Sequence, residues 1–471
     1  MEKIKCDVCI IGAGSGGLSV AAGAAQMGAN VVLIEGGKMG GDCLNYGCVP
    51  SKALIASAAK AYGMGHPGAF GVAAVQPQVD YAAAKDHIGR VIETIAPVDS
   101  QERFEGFGVR VLRAFARFKD EKTVVTDEHE VTARRIVIAT GSAPLVPPIE
   151  GLDQVTYHTN ETIFDLREKP RHLLIIGGGN IGMEMAQAHR RLGCEVTVIE
   201  GGTALGKDDP EAAALVKARM QEEGVVLVEG QQANRVTNGP EGITVETPGG
   251  SHTGSHLLVA VGRRVNVDKL DLDRAGVAHD RGIKVDDRLR STTNKRVFAV
   301  GDAAGRLQFT HVAGYHAGVV IPQIMFGLPS KAKQNHIPWC TYTDPELAHV
   351  GLTEEQAKKK HGDKVTVVRF RYDENDRAVA TGKTDGFVKV SVVKGKPVGA
   401  TIVGAEAGEL ISMWSLAIAN GLKMRAISNT VLPYPTLSEI NKRAAGAYFS
   451  PLLFGNDNVK RVVRLIQKYL P

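Results

Sequence analysis

The sequence predicts an α/β protein with two strand–turn–helix–strand units and an α+β region at its C-terminal end. Three observations carry this expectation. In "DVCIIGAGSGG" a short apolar strand runs into Gly12-x-Gly14-x-x-Gly17, followed by an Ala-rich helix and a strand ending at Glu35. "HLLIIGGGNIGMEMAQAHRRLGCEVTVIE" repeats the plan with Gly177-x-Gly179-x-x-Gly182 and Glu200, and the interval from first glycine to acid is 23 positions in both copies. After residue 343 the pattern changes to alternating, strand-like runs ("KVTVVRFRYD", "GFVKVSVV", "PVGATIVG") followed by the helical "GELISMWSLAIANGL", which reads as antiparallel α+β.

Each part of the repeated unit has a physical reason. The first glycine makes the turn, the second lets a pyrophosphate approach the backbone, and the third lets helix and strand pack closely. The helix N-terminus then attracts phosphate. The acid at the end of the second strand accepts hydrogen bonds from a ribose hydroxyl. Both units therefore read as Rossmann-like dinucleotide-binding domains, and two such sites in one chain imply two cofactors that exchange electrons. Glu200 would repel a 2′-phosphate, so NAD(H) is expected there ahead of NADP(H). "RRIVIATGSAP" at 134–144, with Gly141, and "HLLVAVGRRVN" at 256–266, with Gly262, are strand-then-glycine segments placed where a dinucleotide domain should finish. "KRVFAVGDAAG" at 295–305 delivers Asp302 to the end of a strand, where an acid can bind the ribitol hydroxyls of a flavin.

Composition excludes several other classes. At ~150 residues per domain, 471 residues make about three domains. Net charge is only +5, and the densest basic run, "KKK" at 358–360, reads as a solvated helix face, so no nucleic-acid partner is expected. The N-terminal "MEKIKCDVCIIGAG" has no apolar leader segment, and no stretch of 18 apolar residues exists to span a bilayer. The expected location is the cytoplasm, with no membrane partner. Six cysteines are too few for a disulfide scaffold, and in a reducing compartment a disulfide is more often catalytic than structural.

Two of those cysteines lie together in "GDCLNYGCVPSK", residues 41–52. In a regular helix Cys43 and Cys48 would be separated by ~7.5 Å of rise, beyond the usual disulfide Cα range of about 4.4–6.8 Å. A bond between them needs an irregular turn, which Gly47 permits. The pair follows one short loop after the strand ending at Glu35, beside the first expected cofactor site. Cys6 and Cys9 sit in an apparent strand on opposite faces. They, Cys194 and Cys340 read as packing residues.

The segment "GDCLNYGCVPSK" resembles the redox-active segment of the flavoprotein disulfide reductases, the family of dihydrolipoamide dehydrogenase, glutathione reductase and mercuric reductase. The resemblance runs the length of the chain: first glycine motif, redox segment, "ATG", second glycine motif, "VAVGRR", "AVGDAAG", and a C-terminal region opening near "YTDPELAHVGLTEEQ". It implies an FAD-binding domain at 1–150 and 271–342, an NAD-binding domain at 151–270 and a dimerisation domain at 343–471. It assigns Gly12, Gly14, Gly17, Glu35, Gly41, Asp42, Lys52, Ala116, Gly141, Asp302 and Thr310 to FAD, and Gly177, Gly179, Gly182, Glu200 and Gly262 to NAD. No resident metal is implied. The electron route it implies runs from NADH to FAD and on to a Cys43–Cys48 disulfide. Cys48 is then the flavin-proximal sulfur and Cys43 the thiol that attacks substrate. Lys52 is expected to pair with Glu184, and the helix starting near Thr310 or His311 to point its positive end at the flavin.

Family members of this type work as C2 homodimers in which the partner subunit supplies an acid/base His and an orienting Glu. Here "VLPYPTLSEINKRAAG" keeps Glu439 but places Tyr434 where that His would stand. Tyr titrates near ~10 and is a poor base at neutral pH. Mercuric reductases are similar in carrying Tyr here, yet they also have a C-terminal cysteine pair, and no cysteine follows Cys340. His311 and His316 read as helix-cap or core residues. The resemblance thus implies a dihydrolipoamide dehydrogenase-like oxidoreductase acting on a small or lipoyl disulfide. The alternative is a mercuric reductase-like reductase of a soft metal ion or quinone.

Overall fold

The computed structural model describes residues 1–470. Five sheets organise the described residues. The first has seven strands in the order Arg110–Leu112, Val31–Ile34, Glu2–Ile11, His129–Ile138, Thr123–Val125, Arg117–Asp120, with Val297–Ala299 also pairing with His129–Ile138. The neighbours of Glu2–Ile11 run parallel to it, in register Val8↔Val31 and Glu2↔His129. Strand Val297–Ala299 joins the same sheet in parallel, through Val297↔Ile136. Chain beyond the second glycine unit thereby returns to the first sheet.

The first glycine motif is explained by its tight geometry. Gly12 has φ +106°, a left-handed conformation that glycine adopts without a side-chain clash. A Cβ on Gly17 would lie 1.9 Å from the Gly12 carbonyl oxygen. Helix Ser15–Gln26 can therefore cross its strand only with glycine at both positions. The second unit reproduces this: Gly177 has φ +112° and a Cβ on Gly182 would lie 1.9 Å from the Gly177 oxygen. Its sheet is parallel, in the order Val225–Glu229, Glu195–Glu200, His172–Ile176, His256–Val259, with a three-stranded antiparallel sheet, residues 235–254, packed beside it. A two-stranded ribbon, Ser142–Pro144 with Arg263–Val265, ties the two dinucleotide units together.

The C-terminal sheet is antiparallel, in the order Pro338–Thr341, Glu346–Gly351, Lys396–Gly404, Phe387–Val393, Val365–Arg371. It opens at Pro338, before the boundary expected at 342/343, because Pro338 pairs with Val350 across a tight turn. Its own core is built on Trp414, Tyr372, Val388 and Ile402.

A second core joins the redox segment to the rest. Leu54 and Ala58 of helix Cys48–Gly65 cluster with Met183 and Ala186 of helix Asn180–Arg191. That packing sets Lys52, on the first helix, beside Glu184, on the second. The "KKK" run lies on helix Glu354–His361, whose capping box is formed by Thr353 and Gln356.

Candidate functional site

A cavity of about 2110 Å³ runs between the two glycine motifs, more than the ~300–1,000 Å³ of a common ligand pocket. Gly14, Cys43, Cys48, Lys52, Asp302 and Thr310 line one part of it, and Gly177, Gly179, Glu200 and Gly262 another.

The cysteine segment sits on the first motif because two left-handed glycines, Gly40 and Gly41, turn the chain there. A Cβ on Gly41 would lie 2.7 Å from the Gly14 Cα. Helix Gly41–Asn45 carries Cys43 and ends at Tyr46; Gly47 breaks the chain, and Cys48 opens the next helix. The irregular turn needed to join i and i+5 is therefore present. Both sulfurs are free thiols here, and each shifts the ionisation of the other. Cys48 Sγ also lies 3.3 Å from Thr310 Oγ1.

These surroundings separate the two thiols electrostatically. Cys48 is pulled down to about 6, first by the neighbouring Cys43 thiol, then by Thr310 and the Lys52 charge, against an opposing desolvation cost. Cys43 is pushed up, first by the Cys48 sulfur and then by burial. A sulfur at the first position of an 18-residue helix also faces its positive end. Lowering the pKa means thiolate is present above about pH 6 and lost below it. Alkylation of Cys48 in the reduced protein should thus be near its plateau at pH 7.5 and fall as pH drops through 6. Thr310→Val should move the midpoint upward, as read by iodoacetamide labelling and mass spectrometry.

Lys52 Nζ donates to Glu184 Oε2 at 2.8 Å and lies 4.3 Å from the centre of the Tyr342 ring. Glu184 is buried, and its other oxygen accepts from the Tyr342 N–H at 3.0 Å. Across the cavity, Ser142 Oγ donates to Asp302 Oδ2 at 2.5 Å and accepts from Arg263 Nε at 2.7 Å. Arg263 Nη2 continues to Asp42 at 3.0 Å, and Asn160 donates to the same carboxylate at 3.1 Å. Burial raises the Asp302 carboxyl pKa, against the Ser142 hydrogen bond.

The two motif acids behave alike. Glu35 accepts from the Ala13 and Gly37 N–H groups, each at 2.6 Å. Glu200 accepts from Gly178 at 2.7 Å and Gly202 at 2.8 Å. Each carboxylate therefore braces its own glycine turn as well as standing at the strand end.

The other anticipated residues divide between the cavity wall and elsewhere. Ala116 is in the hydrophobic core of the first domain, off the cavity wall. Gly141 lines the cavity in the left-handed region, φ +65°. His316 is buried with Nδ1 accepting the Gly301 N–H, and burial holds it down at about 4. His311 bonds the Pro338 carbonyl at 2.8 Å, and burial lowers its pKa as well. Neither is a ready proton source at neutral pH. Tyr434 is exposed on the C-terminal domain and donates to Asp376 Oδ2 at 2.6 Å, which raises its pKa. Glu439 opens helix Glu439–Ala447 nearby. Within one chain neither reaches the cavity wall.

Sequence reasoning missed Ser142, Arg263, Asn160 and Tyr342 as wall residues. Ser142 and Arg263 sit inside the strand-then-glycine segments, but spacing alone does not say which side chain turns inward.

Residues 6–317 match the pyridine nucleotide-disulphide oxidoreductase family, and residues 337–445 match the dimerisation domain of the pyridine nucleotide-disulphide oxidoreductases. The class of protein is thus an FAD- and pyridine nucleotide-dependent disulfide oxidoreductase, and the chain belongs to that family. It is 35% identical over 456 residues to the dihydrolipoyl dehydrogenase of Geobacillus stearothermophilus, covering 94% of this chain and 96% of the relative. It is 34% identical over 448 residues to the mercuric reductase of Lysinibacillus sphaericus, covering 93% and 82%. Among solved structures, the Cu(II) complex of the HOCl-induced flavoprotein disulfide reductase RclA from Escherichia coli superposes with a TM-score of 0.84 at 26% identity, over 93% of this chain and 99% of that one.

The family implies FAD, and the cavity wall fits it. Helix Ser15–Gln26 opens at Gly14 with no side-chain cap, leaving its first N–H groups free for phosphate. Helix Thr310–Phe326 likewise opens at the cavity without a cap. Asp302 with Ser142 supplies a polar pair suited to polyol hydroxyls.

Proposed function

We propose that this chain is an NADH-preferring flavoprotein disulfide oxidoreductase whose Cys43–Cys48 pair alternates between disulfide and dithiol, exchanging electrons with a small or lipoyl disulfide. The observation that carries the reading is the Cys43–Cys48–Thr310 cluster, with the Lys52–Glu184 pair beside it, in a cavity walled by both glycine motifs. When bound, FAD and NAD(H) supply the hydride and electron-pair transfer that delivers two electrons to the sulfurs.

The residues then divide the work. Cys43, reduced, attacks one sulfur of the substrate, breaks its S–S bond and releases the first product thiol. Cys48, as thiolate, displaces the second thiol from that mixed disulfide and re-forms the Cys43–Cys48 bond. Two electrons and two protons pass to the substrate in all. Lys52 holds negative charge on Cys48, and Glu184 fixes Lys52. Gly14, Gly41, Asp42, Gly141 and Asp302 would bind FAD, with Gly12, Gly17 and Glu35 shaping the turn. Gly177, Gly179, Gly182, Glu200 and Gly262 would do the same for NAD(H). The dimerisation domain supports a homodimer in which Tyr434 and Glu439 of the partner subunit close the sulfur face.

The test is anaerobic. One equivalent of NADH should expose two new titratable thiols per chain in the oxidised holoenzyme and none in Cys43→Ser. A count unchanged by NADH in the parent protein rejects the relay.

Glu200 carries the coenzyme preference. Glu200→Ser should raise the kcat/KM ratio of NADPH to NADH by about tenfold, equivalent to ~1.4 kcal/mol, since it removes a carboxylate from the cavity wall where the 2′-substituent would lie. A parent enzyme that already favours NADPH rules the assignment out.

One observation favours a second reading, in which the acceptor is a soft metal ion or a quinone. The Tyr434 phenol is committed to Asp376 and is held protonated, so it is no base for thiol exchange at neutral pH. Reduction of a thiolate-bound metal ion needs none. The Cu(II) complex of the E. coli relative is in keeping with that chemistry.

A further inference from the structure

The matched dimerisation domain ends at residue 445, and the chain goes on into a feature that the relay does not use. Helix Asp457–Tyr469 has no buried residue. Its sequence, "DNVKRVVRLIQKY", divides cleanly at 3.6 residues per turn. Val459, Val462, Val463 and Ile466 stack on one side, with Leu465 and Tyr469 on its flank. Lys460, Arg461, Arg464 and Lys468 fall on the other. Val462, Val463, Leu465, Ile466 and Tyr469 are 43–69% exposed. The preceding helix, Ser450–Phe454, adds exposed Leu452, Leu453 and Phe454. The single acid, Asp457, lies in the helix's first turn, where the positive helix end favours it.

We propose that this helix is a membrane-surface anchor that lays its apolar side into the interface of an anionic lipid bilayer. Charge decides the occupant. Four basic side chains against one acid suit an anionic surface, whereas a second copy of the same helix would bring like charges together. An apolar side set cleanly against a Lys/Arg-rich polar side, in a helix too polar as a whole to be buried, is the pattern of helices that lie in a membrane plane. The expectation of no membrane partner rested on the absence of a long apolar run, and an interfacial helix needs none. In a homodimer two anchors act together, which strengthens binding without any new contact.

The test uses the full-length holoenzyme and sedimentation with vesicles. Vesicles of phosphatidylcholine with about a third phosphatidylglycerol should bind it at least tenfold more strongly than phosphatidylcholine alone, and salt should weaken the binding. Val462→Glu/Ile466→Glu should abolish sedimentation. Arg461→Gln/Arg464→Gln should weaken it about tenfold, at roughly a factor of five per basic residue before screening. NADH-dependent turnover of a soluble disulfide should be unchanged in both variants, showing that each is folded. Equal binding to both vesicle types, or binding to neither, overturns the proposal. So does a native mass by light scattering that differs between parent and Val462→Glu/Ile466→Glu without vesicle binding, which marks a second copy on that face.

Discussion

Cys43→Ser should lower NADH-dependent reduction of lipoamide or any other disulfide by on the order of 10³-fold or more, the scale seen when one member of a catalytic unit is removed. The reason is covalent: the serine hydroxyl is a far weaker nucleophile and cannot form the mixed disulfide. Quinone reduction by NADH in the same variant should stay within about threefold of the parent if electrons reach quinones without the sulfurs. The variant therefore discriminates between acceptors. Loss of both activities together assigns quinone reduction to the dithiol, and retention of disulfide turnover contradicts the role given to Cys43. Cys48→Ser should behave alike towards disulfides, since the second displacement is then impossible. Steady-state rates with each acceptor, at fixed NADH, supply the measurement.

Lys52→Met should destabilise the holoenzyme by about 2–3 kcal/mol. Breaking a buried ion pair by removing one partner costs ~3–5 kcal/mol. The lower figure applies because the Lys52 side chain is 37% exposed while that of Glu184 is only 6%. The methionine fills most of the volume, so the loss reports the stranded Glu184 carboxylate, which keeps only the Tyr342 N–H. Lys52→Met/Glu184→Gln should recover at least about 1 kcal/mol, because residues in direct contact do not act additively. Thermal denaturation of the parent, Lys52→Met, Glu184→Gln and the double variant gives the cycle. The single variant should also raise the alkylation midpoint of Cys48, since the Lys52 charge is one of the groups that lowers it. An unmoved midpoint would show that Lys52 is only a packing residue.

The features of the site differ in how far apart their parts lie along the chain. Gly12, Gly17 and Glu35, like Gly177, Gly182 and Glu200, act within one strand–helix–strand unit. Their spacing is the geometry: a Cβ at the third glycine would strike the oxygen of the first, so the pattern can be read without a structure. Asp302 at its strand end and the helix opening at Thr310 were legible for the same reason. The sulfur pair was also readable, because Gly47 marks the break that Cys43 and Cys48 need.

Other features were not. Cys48 meets Thr310 across 262 positions, and Arg263 reaches Asp42 only because the ribbon pairing Ser142–Pro144 with Arg263–Val265 folds one domain onto the next. Tyr434 could be placed in a motif, but its bond to Asp376 depends on how the C-terminal domain packs. The start of the C-terminal sheet at Pro338 followed from strand pairing that no local pattern announces.

By itself, then, the sequence determined everything that one turn of chain can enforce: both glycine turns, the acids at the ends of the strands that follow them and the irregular sulfur segment. Steric exclusion around glycine operates over a few residues, and a few residues can be read in a line. Tertiary structure alone decided which side chains share the cavity wall and how the two thiols differ. Burial, ion pairing and the field at a sulfur are sums over neighbours brought in from distant parts of the chain.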